Sequence, residues 1–79
     1  MTNIMYKGYE IRAVPYQLAS SGGWTVDILI VRDTGTDVKH RKFSASNTYE
    51  TKDNAVRHCF NLGKQIIDGK VKDCSVGDL

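Results

Sequence analysis

The stretch Thr51–Asp68, TKDNAVRHCFNLGKQIID, constrains this chain more than any other. Ala55, Val56, Cys59, Phe60, Gly63, Ile66 and Ile67 recur at helical spacing and fall on one stripe, while Asn54, Arg57, Asn61, Lys64 and Asp68 take the opposite face. Thr51 suits an N-cap, because its hydroxyl accepts from a free backbone N–H of the first turn. Asp53 follows where the helix dipole favours an anion, and Gly69 with Lys70 marks the stop. The pattern predicts a helix over 51–68. Gly63 lies inside it, at a cost of about 1 kcal/mol relative to Ala. Its place within the apolar stripe predicts a close approach of the helix to another layer, expected to be the backbone of a sheet.

One amphipathic helix cannot bury its stripe alone, so the upstream chain must supply the facing layer. Residues 1–5 read as a frayed lead, and Tyr6-Lys7-Gly8-Tyr9 as the opening of a first strand in which Gly8 allows a kink or bulge. Alternation predicts that strand over Tyr9–Gln17, with Pro15 either confining it to an edge or ending its pairing. Leu18–Gly23 is a turn. A second strand runs over Trp24–Arg32. Trp24, Val26, Ile28 and Ile30 make its helix-facing side, and Leu29 and Val31 predict partial cover on the other, as for a central strand. After the turn Asp33–Asp37, a third strand is predicted over Val38–Ala45, with Phe43 and Ala45 inward. Lys39 and Arg41 fall on the same nominal inner side, which requires that strand end to overhang the helix. The expected fold is α+β: a three-stranded antiparallel sheet against one C-terminal helix, in the order β-β-β-α.

A chain of 79 residues holds one domain, with the compact part over about 4–70 and a loose tail over 71–79. The apolar fraction of 41% and charged fraction of 25% are those of a globular protein. The net charge of +2 permits contact with nucleic acid without implying it. Cys59 sits on the apolar stripe and Cys74 in the polar tail, which predicts two free thiols and a reducing compartment, with Cys74 exposed. The N-terminus lacks a signal pattern and no apolar run reaches the ~18 residues of a membrane span, so a cytoplasmic protein is expected.

Tyr6-Lys7-Gly8-Tyr9, Pro15, Gly23-Trp24-x-Val26, Phe43, Ala55-Val56 and Lys64-Gln65-Ile66-Ile67-Asp68 resemble a family of small proteobacterial domains. More distantly, the chain is similar to the HlyU family, labelled a transcriptional activator. The resemblance spans about residues 4–70 and rests on core, turn and cap positions. It implies a fold, and through the label a regulatory role, but carries over no catalytic or ligand residue. With one helix the chain cannot build a helix-turn-helix reader.

Enzyme signatures are missing. Ser21-Gly22-Gly23 lacks the spacing and following helix of a phosphate loop or dinucleotide fingerprint. His58 and Cys59 are adjacent on a helix, so their side chains diverge by ~100° and do not readily share one ion. Asp33-x-Gly35-x-Asp37 begins like a calcium loop, but Ser44 stands where the bidentate Glu belongs. Cys59 faces the core, away from the electropositive setting a reactive thiol needs. No catalytic residue, metal site or cofactor is assigned. Two features remain. Val14, Leu29 and Val31 form an apolar strip on the sheet face away from the helix, suited to a protein partner or homodimer unless Val71 or Val76 of the tail covers it. Lys39-His40-Arg41-Lys42, with Arg12 nearby, forms a basic patch suited to phosphates; the same charges also guard an edge strand against aggregation. Glu10 and Asp27 interleave with this patch, and Tyr16 is the one aromatic expected to be free. The favoured expectation is a non-enzymatic protein-binding or self-associating module. The alternative is a nucleic-acid-binding or transcription-regulatory domain using the basic strand.

Overall fold

The computed structural model describes residues 2–72, 74 and 76. Four strands and one helix follow in order: β1 (Thr2–Tyr6), β2 (Tyr9–Ala13), β3 (Trp24–Asp33), β4 (Val38–Tyr49) and α1 (Lys52–Ile67). The strands form one antiparallel sheet in sequence order, β1-β2-β3-β4, and α1 lies across one face. The α+β class and the single C-terminal helix are as expected; the strand count is four instead of three.

The additional strand is the stretch expected to fray. Lys7 and Gly8 both have positive φ, 51° and 86°, the geometry of a two-residue primed hairpin turn. Gly8 is therefore a turn residue and not a kink within a strand. The turn pairs Tyr6 with Tyr9 and carries the ladder on to Thr2 opposite Ala13. Ile4 and Tyr6 are half-buried, and Met5 between them is exposed. β2 thereby becomes an interior strand, and Pro15 ends its regular pairing rather than marking an edge. Beyond it the chain holds on through scattered bonds, Val14 N–H to the Asp27 carbonyl at 2.9 Å and Tyr16 N–H to Thr25 Oγ1 at 3.0 Å. β4 runs to Tyr49, past the predicted end at Ala45. It carries a register shift: Val26 pairs with Ala45 but Thr25 with Thr48, leaving Ser46 and Asn47 unopposed.

α1 begins and ends as its sequence dictates. Thr51 Oγ1 accepts from Asn54 N–H at 3.2 Å. At the other end Lys70 N–H bonds the Gln65 carbonyl at 2.8 Å and Gly69 N–H, at φ 76°, the Ile66 carbonyl at 3.1 Å, a Schellman stop. Ala55, Cys59, Gly63 and Ile66 are buried against β2 and β3, where Ile11, Ile28 and Ile30 are fully closed. Burying each isoleucine is worth about 1.5–3 kcal/mol. Gly63 makes the close approach, but to a side chain and not to backbone: a Cβ there would stand 2.7 Å from Ile11 Cγ2 and 2.8 Å from its Cδ1. The tail is not wholly loose. Val76 joins the core on the helix side, with Val71 and Cys74 packed against it, so Cys74 is half-buried where exposure was expected. Neither Val71 nor Val76 belongs to the open face. The tail positions 73, 75 and 77–79 lie outside the described residues.

A polar latch ties the β1–β2 turn to the helix end. Lys7 Nζ meets Asp68 Oδ1 at 2.5 Å and Tyr6 donates its hydroxyl to Asp68 Oδ2 at 2.8 Å. Asp68 stands at the negative pole of the helix dipole, where a carboxylate is disfavoured unless countered. The hydrogen bonds from Lys7 and then Tyr6 counter it and hold its pKa below the ordinary 3.8. Lys7 and Tyr6 are correspondingly raised, each chiefly by its bond to Asp68.

Two outcomes follow from this packing. Gly63→Ala gains about 1 kcal/mol of helix propensity against an overpacking cost of about 1–3 kcal/mol. The expected net loss, up to about 2 kcal/mol, lowers Tm by several degrees in a domain of this size. Ile11→Val, which removes the crowded Cδ1, should cost less in the Gly63→Ala background than alone, and thermal denaturation of the four-protein cycle reads both. Additive effects, or a Gly63→Ala variant as stable as the parent, contradict the close approach. The latch sets a pH dependence. A carboxylate whose folded pKa is lowered contributes stability that is present above its unfolded value and lost as pH falls through the folded one. Asp68→Asn should therefore be less stable than the parent above pH 4 and converge with it as pH drops below 3.8. Parallel acid-unfolding curves for the two proteins would refute this.

Candidate nucleic-acid interface

β4 is an edge strand, and β3 is its one partner in the sheet. Alternation along it divides the basic run. His40 and Lys42 stand on the open face, opposite Val31 and Leu29, while Lys39 and Arg41 point to the helix side, opposite Arg32 and Ile30. They can do so because α1 packs chiefly over β2 and β3 and leaves β4 overhanging. Lys39, His40 and Lys42 are exposed; Arg41 is half-buried and already engaged within the protein.

Arg12 differs from the other candidates. It shares a cross-sheet row with Leu29 and Lys42, but its guanidinium is held by Glu10, with Nη2 at 2.9 Å and Nε at 3.0 Å from Oε1. Asn3 donates to the other Glu10 oxygen. Arg12 first and Asn3 second hold the Glu10 carboxyl below its usual range. The pair neutralises the β1–β2 side of the open face, while β4 keeps its charge. Asp27 is buried opposite Ser44. Asp33 is turned to the hairpin loop, where its Oδ1 accepts from Gly35 N–H at 2.8 Å.

The apolar strip on the same face is small. Val14 is 37% exposed, Leu29 is half-buried and Val31 retains 7%. Val31 is closed because β3 is central: Glu10 and His40 stand on either side of it. Tyr16 is exposed, and Tyr9, Trp24 and Phe43 are half-buried, as read from the sequence.

On the helix side, the end of β4 and α1 leave a cleft of about 190 Å³. Val26, Ala45 and Leu62 contribute apolar lining, and the amide side chains of Asn47, Asn61 and Gln65 surround them. Tyr49 and His58 stack beside it, ring centres 4.0 Å apart and planes 6° from parallel. Sequence reasoning assigned Asn61 only to the solvated face. The available signal was Leu62, which with His58, Asn61 and Gln65 makes a second helical stripe beside the core stripe. Cys59 is buried, its Sγ 3.5 Å from the Asp27 carbonyl, and burial raises its pKa, as for an inert thiol. Among the described residues no group of three or more His, Cys, Asp or Glu is placed to hold a metal ion, and no helix is long and apolar enough to cross a membrane.

With this geometry in view, comparison with known families is decisive at one point. Residues 1–74 match the family described as "Transcriptional activator HlyU". The chain belongs to the HlyU family. Neither the curated proteins nor the solved structures gave a match.

Proposed function

We propose that this HlyU-family chain is a non-enzymatic transcription-regulatory domain of the bacterial cytoplasm that contacts nucleic acid through β4. The observation that carries the reading is the exposed basic run on an uncovered edge strand, in a chain whose family is described as a transcriptional activator. Lys39 and Lys42 present charge on the two sides of one strand, with His40 exposed between them, while the cations of the opposite sheet half are spent on Glu10 and Asp68. Such a strand contributes phosphate contacts, which position a protein without selecting a sequence. Association through Val14, Leu29 and Val31 comes second because so little of that strip is exposed.

Fluorescence anisotropy with labelled duplex and single-stranded oligonucleotides across a salt series tests the proposal. Each phosphate neutralised adds about −0.9 to the log–log salt slope on duplex DNA. Lys39→Glu with Lys42→Glu should weaken binding roughly tenfold or more and flatten the slope by about 2, with the circular dichroism spectrum unchanged. Parental affinity and slope in that variant would remove β4 from the interface.

A further inference from the structure

We infer that the cleft between the end of β4 and α1 is a nucleobase site. No Lys, Arg, Asp or Glu contributes to the lining. A ligand recognised through a phosphate, carboxylate or ammonium group finds no counter-charge there. What the cleft offers is an apolar floor and three amides, from Asn47, Asn61 and Gln65. Among the described residues these amides make no side-chain hydrogen bond to the protein. An amide presents a donor and an acceptor side by side, the pattern that pairs bidentately with the edge of a base. The stacked Tyr49 and His58 rings lie at the same place, and a planar heterocycle seated there extends the stack. At about 190 Å³ the cleft is below the range that holds a drug-sized molecule and suits one ring system.

The fold assembles this site by a specific departure from regularity. The register shift leaves Ser46 and Asn47 without partners on β3, and Asn47 is the residue β4 adds to the cleft between Ala45 and Tyr49. Bulges commonly re-aim a side chain in this way beside functional sites. On α1, Asn61 and Gln65 are four residues apart and share a face with His58. The source of the base is either a free nucleoside or an unpaired nucleotide of a strand.

The experiment follows the side-chain amide resonances of 15N-labelled protein. Probes are millimolar adenosine, guanosine, cytidine and thymidine, and, separately, single-base octanucleotides at low and moderate salt. Saturable shifts of the Asn47, Asn61 and Gln65 amides are expected, with at least a tenfold loss of affinity in Asn61→Ala/Gln65→Ala. Both positions are exposed, so the fold should survive; Asn47→Ala serves as an independent variant. Shifts with nucleosides assign the site to a free base, and shifts with octanucleotides alone assign it to an unpaired base of a strand. Lys39→Glu/Lys42→Glu should leave the nucleoside shifts intact, which separates this site from the phosphate contacts of β4. No amide shifts with any probe, or shifts indifferent to all three amide substitutions, would overturn the inference, even where residues 39–42 respond to the oligonucleotides.

Discussion

Gly63 against Ile11 is the contact that sets the rest of the structure. A helix seats on a sheet at a distance fixed by the side chains between them, and here one is absent. Ile11 fills the space a Cβ would need, within 2.8 Å of it at two atoms. The helix therefore descends over β2, and its neighbours Cys59 and Ile66 reach the isoleucines of β3. Covering β2 and β3 this closely leaves the flanking strands less to share. β1 reaches the helix through Tyr6, whose ring lies under Lys64 of α1, and α1 packs over β4 less than over β2 and β3. The exposed basic strand and the polar cleft both follow from where one glycine lets the helix rest.

Charge is distributed on the same plan. On the β1–β2 side, Glu10 holds Arg12 and Asp68 holds Lys7, so cations there are matched within the fold. Neither pair is a large source of stability, since solvent screens an exposed ion pair and holding two long side chains in one geometry costs entropy. Their effect is on the field. With those charges locally cancelled, the small net charge of +2 is expressed unevenly, and Lys39, His40 and Lys42 form no ion pair among the described residues. A modest overall charge is thus compatible with a locally basic edge.

The helix, its caps and its stop could be read from the sequence because each signal is local: a hydroxyl at Thr51, a stripe at 3.6-residue spacing, Gly69 in the left-handed region. β3 was legible for the same reason, and so was the overhang of Lys39 and Arg41. β1 was not. Five residues with two polar members, Thr2 and Asn3, carry a weak alternation, and Lys7-Gly8 departs from the usual Asn-Gly turn signal. The tail's return to the helix side, through Val71 and Val76, is a tertiary outcome that no local pattern encodes. The basic candidates stand as a run in the sequence itself, but the Glu10–Arg12 pair depends on side-chain geometry that spacing alone did not resolve. The cleft was missed because its polar members looked like solvated surface. They become a group only when the bulge in β4 and the second stripe of α1 are set side by side.

α1 commits its apolar face to its own sheet, so the regulatory role proposed above does not rest on inserting a recognition helix into a duplex. β4 suggests a different division of labour. Its alternation puts the exposed Lys39 on the helix side near one end, and Ala45, Asn47 and Tyr49 on that side near the other. At about 3.3 Å per residue, Lys39 and Asn47 lie roughly 26 Å apart along the strand, a span long enough for several nucleotides. On the proposed reading, phosphate-seeking and base-seeking chemistries occupy one continuous element. Electrostatic attraction weakens with salt, whereas amide and stacking contacts are far less sensitive to it. An element carrying both gains encounter rate from its charged end and discrimination from its neutral one. On that reading discrimination belongs to unpaired bases, because the base edges of an intact duplex are not available to a cleft of about 190 Å³.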